Sequence, residues 1–412
     1  MLDVDNLPFL TADVPGIGGK IKTRREDFIV DEVPLYEPAG QGTHVYFRIE
    51  KAGLPTMQAV REIARALAAA ARDIGYAGLK DADAVTTQTL SLEHVDPTRI
   101  QQLDIPRIRV IDVTRHTNKL KLGHLKGNRF RIRLRDVDTN RADDVRSVLT
   151  TLSQRGVPNY FGPQRFGLRG DTWQIGRAML AGDYADAIAC ILGRVSPRDQ
   201  GRFREARQLF DNADYEAAAE AWPPSMNNER RLCRAFIKTQ NDAAKAFRAV
   251  DKRMQQFYLS AFQSQLFNQI VAQRINRLDR LDVGDLAWRH PQGAVFRVED
   301  LAAEQPRCDA FEISPTGPLF GPKMQTPTGA PAEMEQALLD QTNLTAESWR
   351  QGPARKTRGA RRPLRFQPQD ATVDTGTDDL GHYIELAFQL ESGCYATCVL
   401  REICKSNPNN AD

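Results

Sequence analysis

The sequence predicts a mixed α/β protein, with helices and strands both contributing, divided into two or three domains. Three observations carry this. A chain of 412 residues exceeds one ordinary hydrophobic core. Strand-like alternation appears at Phe130, Ile132 and Leu134, which alternate with Arg131, Arg133 and Arg135, and again at Ile384, Leu386, Phe388 and Leu390. Helical spacing governs other stretches, most plainly behind Thr56 and from Asp251 to about Arg277.

In order along the chain, residues from Lys20 to about Glu50 read as strands and turns. Phe28, Val30 and Val33 lie near charged neighbours, and Val45, Phe47 and Ile49 alternate with Tyr46, Arg48 and Glu50. Thr56 can cap a helix carrying Val60, Ile63, Leu67, Ala70, Ala71 and Ile74 at helical spacing. Gly75 and Gly78 end that helix, and the chain then exposes Lys80 and Asp81 in a loop. In a strand, the alternation at Phe130–Arg135 puts an apolar row on one face and guanidinium groups on the other. Such a row suits bidentate phosphate contact, which makes Arg131 and Arg133 RNA-binding candidates. If Arg133 instead pairs with acids such as Asp136 or Asp138, the row is only structural.

Residues from about Asp143 to Ser153 form another amphipathic segment. Asn159 to Gly167 is then dense in aromatics, glycine and arginine, including Arg165. It can stack bases and bind phosphate, or plug a joint between domains. Helical patterns follow over Arg177–Leu192 and Tyr215–Trp222, and in the long segment from Asp251 the face of Phe257, Phe262, Leu266 and Ile270 reads as core. Between Gly321 and Arg362 the abundance of Gly, Pro, Thr and Arg predicts loops and a boundary. Glu391, Ser392 and Gly393 make a turn, Tyr395 opens a short helix through Ile403, and disorder is expected after Lys405. No internal repeat is found.

Composition narrows the function classes. Apolar residues make up 41% and charged residues 26% of the chain, as in soluble globular proteins. No run of eighteen apolar residues and no basic-then-apolar leader is present, so neither a membrane span nor a secretory signal is expected. The six cysteines form no C-x-x-C pair, and a reducing cytoplasm fits them best. Net charge is only +3, but Thr114–Arg135 holds eight Lys or Arg residues and no acid, and Arg350–Arg365 is also acid-free. A charge run is usually a solvated face, yet two of them raise the chance of a polyanionic partner. No cofactor is expected, because neither G-x-x-x-x-G-K-[ST] nor G-x-G-x-x-G occurs. No metal is expected either. A zinc deaminase would need His-x-Glu and Pro-Cys-x-x-Cys, neither of which is present, and no His or carboxylate stands at metal spacing from Cys394 and Cys398 in the sequence.

The densest chemistry lies in Gly78-Leu79-Lys80-Asp81-Ala82-Asp83-Ala84-Val85-Thr86-Thr87-Gln88. A carboxylate with an ordinary pKa of about 3.9 is ionised at neutral pH without an activating base, so Asp81 is a usable nucleophile toward an electron-poor sugar carbon. Lys80 could hold that anion or an RNA phosphate. The plainer reading is a solvated turn with a helix-capping Asp.

This stretch resembles the motif of the D-type (TruD) family of tRNA pseudouridine synthases, in which the aspartate is the nucleophile. Further elements are similar to that family and follow its order: Lys22 with Glu26-Asp27-Phe28, His124 with Gly127-Asn128 and Phe130, Asn159 to Gly167, Ser264 to Asn268, Ser314 to Leu319, and Gly393 with Tyr395-Ala396-Thr397. Tyr395 stands where many relatives have Phe, and Thr372–Gly381 looks like a small insertion. The resemblance implies an α+β fold: a catalytic domain with a mixed, largely antiparallel sheet from residues 1–158 and 357–412, and an inserted domain over 159–356, with RNA between them. It implies tRNA as substrate at uridine 13 near the D arm, tRNA-Glu being typical. Asp81 would attack C1′ directly or assist glycal formation. Phe28 and Tyr395 would contact the flipped base, Asn128 would hydrogen-bond near the nucleophile, Phe130 would pack beside it, and Lys22 and Lys80 would serve substrate binding. No protein partner is implied. A non-catalytic tRNA-binding protein or RNA chaperone is the alternative, and it would have no use for Asp81.

Overall fold

A computed structural model describes residues 2–290 and 292–406 and divides them into two compact units. The chain first builds strands β1 (Phe28–Pro34) and β2 (His44–Ala52), helix α1 (Thr56–Ala66), and strands β3 (Gly75–Tyr76) and β4 (Val85–Glu93). Helix α2 (Pro97–Gln101), strands β5 (Ile108–His116) and β6 (Leu125–Leu134), and helix α3 (Ala142–Arg155) complete this first passage.

The chain crosses to the other unit near β7 (Val157–Pro158). There it forms helices α4 (Thr172–Ala181), α5 (Tyr184–Leu192), α6 (Gly201–Asp211), α7 (Tyr215–Ala221), α8 (Asn227–Lys238), α9 (Ala243–Ala246) and α10 (Lys252–Gln273). Strands β8 (Leu286–Arg289) and β9 (Ala294–Arg297), helix α11 (Leu301–Asp309), strand β10 (Ile313–Leu319), helix α12 (Ala330–Asp340) and strand β11 (Ala360–Pro363) follow. It returns at β12 (Arg365–Phe366) to close with strands β13 (Gln369–Asp378) and β14 (Gly381–Glu391) and helix α13 (Ala396–Cys404).

The unit of residues 9–157 and 366–406 is built on one sheet in the order β13-β14-β6-β1-β4-β2-β5, with β3 beside β4. Only β1 and β4 run parallel; the other pairs are antiparallel, as expected of a mixed, largely antiparallel sheet. The pleat separates two faces. Phe28, Val30 and Glu32 share one with Phe130 and Ile132 on β6, with Leu386 and Phe388 on β14, and with Val45, Phe47, Ile49 and Lys51 on β2. That face is buried, and Val60 and Ile63 of α1 join Val45, Phe47, Ile49, Leu90 and Leu92 in one core. The opposite face carries Arg48, Arg129 and Arg131 and is largely polar and accessible. Where β14 passes Gly127, an added Cβ would lie 2.1 Å from the Leu390 carbonyl oxygen, so only glycine permits that approach.

The other unit, residues 158–365 with the first eight residues, centres on α10, which packs against α4 and β10. The sheet β11-β10-β8-β9 lies within it.

Several expectations need correction. The helix behind Thr56 stops at Ala66 instead of reaching Gly75, because Ala68 turns to φ +54° and the chain then enters a 3-10 turn and β3. The pattern over Arg177–Leu192 is two helices broken at Gly182 in the left-handed conformation. The segment read as loops between Gly321 and Arg362 contains α12. The unit boundary falls at Arg365, later than Lys356, since β11 pairs with β10 and the Asn159 amide donates to the Leu364 carbonyl. Residues before Phe9 group with the inserted unit, where the Leu2 amide donates to Gln269. Disorder expected after Lys405 falls, from residue 407 on, outside the described residues.

Candidate active site

Asp81 sits in the turn between β3 and β4, and its neighbours are set by the strands on either side. Lys22 forms an ion pair with it through Nζ and Oδ2, and the Lys22 ammonium also lies 4.6 Å from the centroid of the Phe28 ring. Lys22 holds φ +59°, a left-handed conformation that costs a lysine roughly 1–2 kcal/mol and persists where surroundings demand it. Partial burial pushes the Asp81 carboxyl upward, but the hydrogen bond and charge of Lys22, with the backbone N–H groups of Asp83 and Ala82, outweigh it and hold the group below its ordinary 3.8. The side chain remains 46% exposed. The result is an ionised carboxylate that is oriented and still accessible.

The loop beneath it is braced from inside. Lys80 Nζ donates to Glu32 Oε2 at 2.7 Å, both side chains being almost fully buried. Glu32 Oε1 in turn accepts the Thr89 amide at 3.1 Å. The Lys80 backbone N–H donates to Thr56 Oγ1, which donates to Gln88 Oε1, each bond at 2.8 Å. Lys51 Nζ reaches the carbonyl oxygens of Leu54 at 2.5 Å and of Asp81 at 3.0 Å. The motif residues Lys80 and Gln88 are therefore struts. This corrects the expectation that Lys80 holds the Asp81 anion or an RNA phosphate, because its ammonium is buried and engaged by Glu32. It also corrects Thr56 as a helix cap. Pro55 occupies that position, and the Thr56 hydroxyl serves the loop.

Phe28 and Phe130 meet edge to face at 6.3 Å, and Phe130 lies 5.6 Å from Phe388. Both rings are buried in the sheet core, so Phe28 is a floor beneath Lys22 more than an open stacking platform. Asn128 on β6 lies opposite Glu32 on β1 and Leu390 on β14; its Oδ1 is buried and has no hydrogen-bond partner among the described residues, an acceptor site adjoining this face. Tyr395 precedes α13 and is 46% exposed, as a group contacting substrate must be. Arg165 belongs to the other unit, in a 3-10 turn with its guanidinium 5.4 Å from the Phe161 ring centroid.

The register puts the apolar and guanidinium rows on opposite faces, as the alternation predicts, and only the reading of Arg133 is corrected. Arg131 opposes Ile29, while Phe130 opposes Val30, so the row occupies the face away from Glu32, Asn128 and Phe130. Arg131 is exposed there. Arg133 is held by Glu385 at 2.7 Å and Asp378 at 3.4 Å and lies 4.5 Å over the Tyr383 ring. The acids anticipated as possible partners, Asp136 and Asp138, are replaced by acids from the distant hairpin β13–β14. Arg133 is thus structural.

Glu32, Lys51 and Thr56 escaped the sequence reading as members of this site. A signal existed: carrying the alternation Val45-Phe47-Ile49 two residues further puts a lysine in the apolar row, and Phe28-Val30 likewise puts Glu32 there. Among the described residues no group of three or more His, Cys, Asp or Glu is placed to hold a metal ion, and no helix is long and apolar enough to cross a membrane.

Known proteins resemble this chain over nearly its whole length. A family model, tRNA pseudouridine synthase D (TruD), matches residues 6–403. The chain is 44% identical to a tRNA pseudouridine synthase D of Geotalea daltonii, covering 97% of this chain and 100% of the relative. It is 45% identical to that of Geobacter metallireducens, covering 96% and 97%. A crystal structure assigned to tRNA pseudouridine synthase D of Methanosarcina mazei superposes with a TM-score of 0.87 at 27% identity, covering 98% of this chain and 97% of that one. The chain belongs to the tRNA pseudouridine synthase D family, isomerases that act on tRNA.

Proposed function

We propose that the enzyme converts uridine 13, in the D-arm region of a tRNA such as tRNA-Glu, into pseudouridine in the cytoplasm, with Asp81 as nucleophile. The observation carrying this reading is the Asp81 carboxylate itself. It is ionised, paired with Lys22, half exposed, and mounted on a loop braced by buried bonds.

In the reaction the N1–C1′ bond of the uridine breaks, the uracil rotates, and a C5–C1′ bond forms. Asp81 either bonds to C1′ and is displaced when C5 attacks, or accepts a sugar proton on a glycal route. In both routes the proton on C5 leaves and N1 regains one, so the overall change is an isomerisation without redox. A flipped uracil offers its edge to the Asn128 acceptor, which has no partner among the described residues, and Tyr395 supplies an exposed ring.

Carbodiimide mapping of pseudouridine on an unmodified tRNA pool tests the target. A reverse-transcription stop next to a D-arm uridine, lost when uridine 13 of the transcript is replaced by cytidine, is expected. A stop confined to another arm contradicts the assignment.

A further inference from the structure

We propose that Lys51 is a positioning residue for the isomerisation: its buried ammonium grips the main-chain carbonyl of Asp81 and so fixes the direction in which the Asp81 carboxylate points. The inference rests on the reading of Asp81 as nucleophile.

Strand β2 alternates Val45, Phe47, Ile49 and Lys51 toward the same buried face, and Lys51 is 1% exposed. Placing an ammonium there is costly, and a hydrocarbon side chain of similar length would serve the core better. Its two hydrogen bonds to described residues both go to carbonyl oxygens, one on the turn leading into α1 and one on the nucleophile's own residue. Neither is a carboxylate that a buried cation would ordinarily be paired with.

Those bonds complete a bracket. The Lys80 N–H is fixed by Thr56 and Gln88, and the Asp81 carbonyl by Lys51, so the backbone on both sides of the Asp81 Cα is anchored to the sheet. The Asp81 side chain is thereby left with its rotamer as its main freedom, and Lys22 selects that. The two lysines have separate roles, Lys22 holding the carboxylate and Lys51 the backbone that carries it.

The charged groups around Lys51 set its proton affinity. Burial lowers it, the Asp81 charge raises it, and Lys80 lowers it again, bringing the ammonium down to about 8. Glu32 engages Lys80, Lys22 engages Asp81, and Arg107 donates to the Gly53 carbonyl in the adjoining turn. Loss of the Lys51 proton turns its nitrogen from a three-donor cation into a weaker neutral donor and loosens the grip on Asp81.

The test is single-turnover release of tritium from uracil C5 of tRNA transcripts, with tRNA affinity measured in parallel for wild type, Lys51→Met, Lys51→Arg and Asp81→Asn. Lys51→Met is expected to slow the reaction about 100-fold with affinity unchanged within about twofold, since displacement of a reacting group by an ångström has that scale of effect. Lys51→Arg keeps the charge and is expected to recover about tenfold of the loss. The wild-type rate is expected to fall above about pH 8, with that limb displaced upward in Lys51→Arg. A Lys51→Met rate within about threefold of wild type, or a loss wholly explained by weaker tRNA binding, overturns the proposal. Should Lys51→Met not fold, Lys51→Gln, which keeps only a shorter neutral donor, takes its place, and a rate within about threefold of wild type at unchanged tRNA affinity overturns the proposal. An active Asp81→Asn instead defeats the nucleophile reading on which Lys51 depends. An inactive Asp81→Asn beside an active Lys51→Met defeats the Lys51 inference alone.

Discussion

Two regions of one sheet use basic residues for opposite ends. Around the β3–β4 turn, Lys22, Lys51 and Lys80 converge on a loop whose central carboxylate, Asp81, stays half exposed. At the outer end of the sheet, Arg24, Arg133 and Arg135 converge on Asp27, Asp378, Asp379 and Glu385, and each of those arginines is tied to an acid. Arg135 grips the fully buried Asp27 through two bonds of 2.6 and 2.7 Å, and its hydrogen bonds to Asp378 hold that acid far below the carboxylate range. One cluster leaves its central carboxylate accessible; the other encloses Asp27 and Asp378 among guanidinium groups. Basic composition alone therefore says little about RNA contact, and the partners decide.

Substitutions can break this contrast. The largest effect is expected on stability at the outer cluster. Arg135→Ala strands a buried Asp27 and should cost about 3–5 kcal/mol in denaturant unfolding, with the rate per folded molecule retained. A rate loss without destabilisation would put this cluster in the chemistry.

Next comes Lys22→Ala. The folded Asp81 carboxyl lies below its ordinary value, so its ionised form stabilises the fold above about pH 4, and that stability disappears as pH falls through the folded value. Removing Lys22 raises the folded value. The acid limb of the pH–rate profile should then move to higher pH. An unmoved limb means that the backbone N–H groups alone set the Asp81 titration.

The smallest effect is predicted for Arg133→Ala. The slope of log Kd for tRNA against log salt should remain that of wild type, because no phosphate is neutralised by a guanidinium held between Glu385 and Asp378. Arg131→Ala sharpens the point: exposed on the same face, it reduces the slope by about one only if RNA crosses that face.

Asp81, Lys22 and Lys80 stood out in the sequence, but their division of labour did not, and Glu32, Lys51 and Thr56 were passed over as members of the site. Strands β1, β2, β6 and β14 followed from alternation, and the Lys80-Asp81 turn from its glycines. Strand β4 was hidden because Thr86 and Gln88 read as motif chemistry, although Val85–Glu93 is rich in β-branched and alternating residues. Phe28 and Phe130 fulfil their apolar pattern so well that they belong to the core, which restricts the base-contacting role the resemblance implies for Phe28. Arg133 could not be read correctly, since its partners come from a hairpin roughly 250 positions away, and only the register of β6 with β14 brings them together. Glu32 and Lys51 were visible as charges in apolar rows. A charge at such a position is itself the signal of a buried partner.

The most direct test of the central claim is the rate of tritium release from uracil C5 by Asp81→Asn, measured beside its tRNA affinity. The account predicts a rate lower by about 10⁴-fold or more with affinity close to wild type. Release at a rate approaching wild type would show that Asp81 is not the group that does the chemistry.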